Sequence, residues 1–291
     1  MSPSSNGACL CGAVTFAIAP PYRWFAHCHC ALCRKHHGSL FSTGLGVARE
    51  RLEWFSGTGD IVHYRSSAAF ERPFCRRCGS TVPGVTQDEN SLHVPAGLLS
   101  DDPGARPRSH IFVDSRSPLT TISDGLPQHA TYPGATGLPA VNAEARERGA
   151  AGIVGSCLCN AVAFSSAAVP RHFVNCHCSL CRRQTGAAFK STLFAPLEGF
   201  RWLRGENKIR SYALPPPSRH DAAFCGDCGS AAPRVLEATV MLPAGSIDSE
   251  LPPLPAVHIY VASKAPWYEI ADGGPRFAEL PPPDQFTRWF R

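Results

Sequence analysis

The amino-acid sequence predicts a mainly β protein made of two tandem metal-binding domains. Three observations carry that prediction. The segment Gly7-Ala8-Cys9-Leu10-Cys11-Gly12-Ala13-Val14-Thr15-Phe16 recurs as Gly155-Ser156-Cys157-Leu158-Cys159-Asn160-Ala161-Val162-Ala163-Phe164, and other segments recur with it. The chain holds 27 prolines and 25 glycines in 291 residues, which favours short elements joined by turns over long helices. Its β-branched and aromatic residues fall in short alternating runs, the pattern of half-buried strands.

The repeat sets the domain organisation. His27-Cys28-His29-Cys30-Ala31-Leu32-Cys33-Arg34 is matched by Asn175-Cys176-His177-Cys178-Ser179-Leu180-Cys181-Arg182. Phe74-Cys75-Arg76-Arg77-Cys78-Gly79 is matched by Phe224-Cys225-Gly226-Asp227-Cys228-Gly229, Val94-Pro95-Ala96-Gly97 by Leu242-Pro243-Ala244-Gly245, and His110-Ile111-Phe112-Val113 by His258-Ile259-Tyr260-Val261. The two copies account for all 14 cysteines, seven in each. Residues 1–125 are therefore read as a first domain, 126–152 as a linker and 153–291 as a second domain, both of ordinary size. Pro127, Pro133, Gly134, Gly137 and Pro139 make the linker turn-rich, with a short charged helix expected around Ala143 to Arg148.

In chain order, strands are expected at Ala13 to Ala17, Arg51 to Phe55, Ile61 to Tyr64 and His110 to Val113. In copy two they are expected at Phe200 to Glu206 and Ile209 to Tyr212. The proline stretches Pro215 to Pro217 and Pro281 to Pro283 read as loops. The sum is antiparallel sheet with little helix.

Composition bounds the function. An apolar fraction of 44% is that of a globular core, and the net charge of +5 comes without a Lys/Arg block or interleaved aromatic and basic residues. A nucleic-acid surface is thus disfavoured. The N-terminus has neither the basic nor the apolar region of a secretory signal, and no stretch reaches the length of a membrane span. A cytoplasmic protein is expected, where thiols stay reduced and clustered cysteines argue for metal over disulfides.

The cysteines divide into two kinds of group. Cys75-x-x-Cys78-Gly79 has the spacing of a zinc knuckle, and Cys9-x-Cys11 is the pair available to complete four thiolates. Cys157, Cys159, Cys225 and Cys228 repeat the set. A closed four-thiolate site is structural, and its binding energy contributes to folding. The second kind is a triad, Cys28, Cys30 and Cys33, repeated as Cys176, Cys178 and Cys181. Three sulfurs leave one tetrahedral position of zinc open for water or substrate.

Two other readings of the triad are available. One is a structural site closed by His27, His29, His36 or His37, but copy two keeps only His177 of these positions, the rest being Asn175, Gln184 and Thr185. The other is an iron–sulfur cluster, which ordinarily takes four cysteines. Arg34, Arg76 and Arg77 in copy one and Arg182 and Arg183 in copy two offset thiolate charge. Of these, Arg34, Arg182 and Arg183 are candidates for holding a substrate carboxylate. His110 and His258 are read as strand residues and not as ligands.

Taken together, the order Cys-x-Cys, Cys-His-Cys-x-x-Cys-Arg, Phe-Cys-x-x-Cys-Gly and His-Ile-φ-Val (φ apolar) resembles the glutathione-dependent formaldehyde-activating enzyme family, which also includes centromere protein V. Copy two adds Arg183-Gln184-Thr185-Gly186-Ala187 and Lys264-Ala265-Pro266-Trp267, similar to the family's flanking segments. The resemblance implies the family's β-tent fold and two zinc ions per domain. One is structural, on Cys9, Cys11, Cys75 and Cys78 or their counterparts; the other is catalytic, on Cys28, Cys30 and Cys33 or theirs. It also implies a zinc-dependent carbon–sulfur lyase-type enzyme acting on thiol/aldehyde adducts, with glutathione or another thiol as substrate and formaldehyde or another aldehyde as its partner. The alternative is a non-enzymatic zinc-binding module that binds a protein or nucleic acid. Copy one departs from the family pattern at Lys35-His36-His37 and lacks the tryptophan near its end, and copy two has Asn160 where copy one has Gly12.

Overall fold

The computed structural model describes residues 4–67, 70–86, 90–134, 152–170, 172–218 and 220–287. It is mainly β in two similar halves, as expected. The first half opens on an antiparallel hairpin, Ser5–Ala8 with Thr15–Ile18, extended by Leu52–Ser56. A second sheet runs in the order Gln128–His129, His110–Ile111, Tyr22–Cys28, Ser42–Ala48, Ser91–Pro95, Gly84–Val85. Ile61–Ser67 and Phe70–Cys75 form a separate ribbon.

The second half repeats this plan. Ile153–Ser156, Ala163–Ser166 and Phe200–Arg204 form one sheet, and Ile209–Ala213 with Asp221–Cys225 the ribbon. The larger sheet runs Arg234–Val235, Thr239–Pro243, Lys190–Pro196, His172–Cys176, Ala256–Ile259. Three α-helices are described: α1 (Ala31–His37), α2 (Ser179–Thr185) and α3 (Pro283–Thr287).

Four details differ from the sequence expectation. The sheets are not purely antiparallel: His110–Ile111 runs parallel to Tyr22–Cys28, and Ala256–Ile259 parallel to His172–Cys176. Long connections precede both strands, and a crossover of that length is what parallel pairing requires. The strand expected over His110 to Val113 ends at Ile111, because Phe112 turns the chain through a left-handed conformation (φ 56°). Tyr260 does the same in copy two (φ 55°). Pro283 begins α3 instead of closing a loop; the first helical turn accepts proline because its N–H has no intrahelical partner there. Finally, Gln128–His129, in the stretch read as linker, pairs with His110–Ile111. The charged helix expected at Ala143 to Arg148 lies outside the described residues.

The halves share one apolar core. Phe16, Phe25, Leu45, Val47 and Val94 of the first pack in a single cluster with Phe164, Phe173, Leu193, Val240 and Leu242 of the second. Contacts across the junction come in symmetric pairs. α1 lies against the turn Ala244–Ser246 of the other half, and α2 against the turn Ala96–Leu98. This gives the repeated Pro-Ala-Gly segment its reason: a Cβ on Gly97 would lie 2.2 Å from the Ala187 carbonyl oxygen, and one on Gly245 would lie 2.1 Å from that of Arg34. No helix among the described residues is long and apolar enough to cross a membrane.

Candidate metal centres

The turn after Ser5–Ala8 carries Cys9 and Cys11, and the ribbon ends on Cys75 with Cys78 in the following turn. The fold brings the four sulfurs to within 4.8 Å of one another. Cys157, Cys159, Cys225 and Cys228 gather in the same way. Backbone and hydroxyl donors surround the sulfurs. Val14 N–H donates to Cys9 Sγ (3.3 Å), and Leu10 N–H donates to Ser80 Oγ (2.9 Å), whose hydroxyl lies 3.2 Å from Cys78 Sγ. Gly79 takes the left-handed conformation (φ 72°), and a Cβ there would meet the Phe224 ring of the other half at 2.4 Å. Gly229 and Phe74 repeat that relationship. Asn160 replaces Gly12 without penalty of kind: both have positive φ, which asparagine tolerates among non-glycine residues.

These donor sets fit zinc. Four cysteine sulfurs on two short segments, largely buried, are the chemistry of a closed structural site. The mutual crowding also shows in the acidities. Cys11 is drawn down to about 7, chiefly by its hydrogen bond with Cys75. Cys9 is pushed up, chiefly by its hydrogen bond with Cys11. A cation is what lets four such thiols ionise together.

The triads stand at strand-to-helix junctions. Cys28 ends the strand Tyr22–Cys28, Cys30 caps α1, its sulfur accepting from Cys33 N–H (3.3 Å), and Cys33 lies in the first turn. The three sulfurs lie within 4.8 Å of one another, as do those of Cys176, Cys178 and Cys181. No histidine nitrogen or carboxylate among the described residues joins either triad at that range. The histidines considered as closing ligands are engaged elsewhere or stand apart. His27 Nδ1 bonds Thr43 Oγ1 (2.8 Å), and His37 Nδ1 donates to the Thr185 carbonyl (2.7 Å).

His29 turns away from the metal group into a buried chain. Its Nε2 pairs with His110 Nδ1 at 2.8 Å, and His110 Nε2 donates to Asp124 at 3.0 Å. With Nε2 of His110 donating, its Nδ1 accepts, so His29 carries its proton on Nε2. Burial first and His110 second pull His29 down to about 3, and it stays neutral. His177, His258 and Asp272 repeat the chain at 2.9 and 2.9 Å. His110 and His258 are thus strand residues that orient the loop carrying the sulfurs.

The flanking arginines bond backbone carbonyls, Arg34 and Arg182 within their own half and Arg183 across the junction. Arg34 and Arg182 each reach a backbone carbonyl, of Ser115 and Ser263, at 3.4 Å. Arg183 donates to the carbonyl of Cys9 in the other half (Nε, 3.1 Å). At the place of Arg183 in copy one, Lys35 forms a buried ion pair with Asp248 (2.6 Å) and donates to Ser156 Oγ (2.7 Å), next to Cys157. Each triad helix is therefore braced on the four-cysteine group of the opposite copy. Leu32 packs on the Cys157 group and Leu180 on the Cys9 group.

The Cys28 triad lines a cavity of about 960 Å3, within the range of small-molecule sites. Its charged member nearest the sulfurs is Arg72, whose Nη1 lies 3.5 Å from Cys33 Sγ. The neighbouring Cys28 and Cys30 thiols first, and the Arg72 charge after them, hold Cys33 well below the usual thiol range. His36, His37, His93, Phe70 and Tyr132 share the cavity wall. Sequence reasoning did not single out Arg72, His93, Phe70 or Tyr132, of which the first three come from distant strands and Tyr132 from the bend after Gln128–His129; the alternation of Phe70-Glu71-Arg72-Pro73 ahead of Cys75 is the only local signal. In copy two Lys190 pairs in register with Cys176, and Lys190 and His220 both bond Gln184 Oε1 at 3.1 Å.

Comparison with known proteins shows the family. A family model described as "Glutathione-dependent formaldehyde-activating enzyme" matches residues 4–115 and again 152–263. A protein of Halomonas elongata, named provisionally as a glutathione-dependent formaldehyde-activating enzyme, is 32% identical over 128 residues, covering 38% of this chain and 76% of its own. A crystal structure of a Rhodobacter sphaeroides protein matches 35% of this chain and 92% of its own at 22% identity, with a TM-score of 0.28. With two matched regions that together span most of its length, this chain belongs to the glutathione-dependent formaldehyde-activating enzyme family, twice over.

Proposed function

We propose that the protein is a zinc-dependent enzyme of carbon–sulfur lyase type that makes and splits thiol–aldehyde adducts, as in the formation of S-(hydroxymethyl)glutathione. The observation that carries this reading is a triad of sulfurs that no further Cys, His, Asp or Glu among the described residues joins, set in the wall of a cavity of small-molecule size. Two zinc ions per half are proposed. Those on Cys9, Cys11, Cys75, Cys78 and on Cys157, Cys159, Cys225, Cys228 are structural, and those on Cys28, Cys30, Cys33 and on Cys176, Cys178, Cys181 are catalytic.

A zinc ion bound at a triad favours the thiolate form of an incoming thiol and polarises a carbonyl. The rest of the chemistry belongs to the chain and the substrates. The thiol sulfur attacks the aldehyde carbon, a C–S bond forms, the carbonyl π pair moves to oxygen, and the thiol proton ends on that oxygen. The reverse step returns both reactants. In site one Arg72 offsets sulfur charge beside Cys33. The His29–His110–Asp124 chain holds the sulfur loop in one orientation, as outer partners of metal ligands do.

Exchange NMR tests the reading with the zinc-loaded chain, glutathione and formaldehyde. Exchange between free and adduct forms should exceed the buffer rate, and a Cys30→Ser/Cys178→Ser double variant should return it to background. Wild-type protein that does not exceed the buffer rate, or a double variant as fast as wild type, would sink the proposal.

A further inference from the structure

We infer that the two triads take different substrates: the cavity beside Cys28, Cys30 and Cys33 accepts a thiol or aldehyde with a flat aromatic body, and the site at Cys176, Cys178 and Cys181 prefers one that carries carboxylates. This rests on the thiol–aldehyde reading above.

The difference begins at two glycines. In the strand Ser42–Ala48, Gly44 lies beneath the His93 ring and Gly46 beneath the Trp24 ring. A Cβ would stand 2.2 Å from His93 Nε2 and 2.1 Å from Trp24 Nε1. The two rings therefore lie down on the strand and stack on each other, centroids 5.7 Å apart with planes at 30°. Both line the cavity. A second pair, Phe112 and Tyr132, meets edge to face at 5.0 Å and 85° on the same cavity, and Phe70 adds a further ring. An aromatic guest gains from such walls by stacking and edge contacts. Arg23 and Arg108 also border the cavity, so an acidic group on the ring is accommodated.

Copy two keeps a ring at the place of Phe112, in Tyr260, and replaces the other features. By strand register Thr192 and Phe194 stand where Gly44 and Gly46 do, His172 and Met241 where Trp24 and His93 do. His220 stands for Phe70, Lys190 for Ser42 and Arg234 for Gly84. The repeat puts Leu280 at the place of Tyr132. Lys190 and His220 are held by Gln184, and Arg234 pairs with Asp221 at 2.5 Å. Rings remain near Cys176, where Phe194, Tyr260 and Phe277 cluster, but the stacked Trp24–His93 pair has no counterpart, and Lys190, His220 and Arg234 add cations and hydrogen-bonding groups suited to a thiol that carries carboxylates.

Calorimetric titration of zinc-loaded full-length protein tests this. Benzyl mercaptan and glutathione are the probes; Cys178→Ser leaves site one to be read and Cys30→Ser leaves site two. Benzyl mercaptan should bind site one about tenfold or more tightly than site two, with glutathione in the opposite order. Trp24→His and Tyr132→Leu, which install the copy-two residues, should each weaken benzyl mercaptan at site one by up to about tenfold. Tyr132 is 40% exposed, so its variant tests the wall without disturbing the core. Equal affinities at the two sites, or folded variants that bind benzyl mercaptan as wild type does, would overturn the inference while leaving the thiol reading intact. If neither thiol binds either site, both fall.

Discussion

His37 and Thr185 occupy the same position in the two copies, 148 residues apart, and His37 Nδ1 donates to the Thr185 carbonyl at 2.7 Å. Equivalent residues that touch lie near a local two-fold axis, so the tandem copies pack as two subunits of a dimer would. Ser39 Oγ, which donates to the Phe189 carbonyl at 2.9 Å, crosses the same junction. Because one apolar cluster spans both copies, residues 1–134 produced alone should not give a folded monomer. Sedimentation and circular dichroism read the result: a cooperatively folded monomer would contradict the shared core.

The Lys35–Asp248 pair is buried on both sides, with side chains 6% and 7% exposed. Asp248→Ala leaves the ammonium with only Ser156 as partner, and unfolding by urea should show a loss of about 3 kcal/mol. A loss below about 1 kcal/mol would mean that the brace contributes little.

Metal content separates the two kinds of centre. Wild-type protein should carry four zinc ions per chain, and Cys30→Ser three, while keeping its fold. Cys78→Ser should instead lose cooperative unfolding, since a closed site supplies folding energy directly. Elemental analysis beside thermal melts decides it: two ions per chain, unchanged in Cys30→Ser, would leave the triads metal-free.

Acid should destabilise the protein partly through His37. Burial, the largest influence, lowers it from 6.5 to about 4. Its folded value lies below its unfolded one, so the unfolded chain binds the extra proton. The contribution is constant above pH 6.5 and is lost as pH falls from 6.5 towards 4. Between pH 7 and pH 5 this amounts to about 2 kcal/mol. His37→Thr, the copy-two residue, should shrink the wild-type drop between those pH values by about that much. An unchanged drop would assign the acid sensitivity to other groups.

Read by itself, the sequence determined the mainly β class, the two similar halves and the family. Each of these is written locally: strands in alternating runs such as Ile61 to Tyr64, and metal-type groups in cysteines two or three residues apart, repeated once. What the tertiary structure alone decided lies between elements distant in the chain. Arg34 and Arg183 flank the triads in sequence, yet α1 carries the first to a backbone carbonyl of its own half and α2 the second to one across the junction, while Arg72 arrives from a ribbon 39 residues away to face Cys33. The partner of His29 is His110, 81 residues on, and that of Lys35 is Asp248 in the other copy. No spacing rule finds such pairs, because strand register and the packing of one copy on the other set them; the two glycines under Trp24 and His93 acquire meaning only once those rings are seen lying on them.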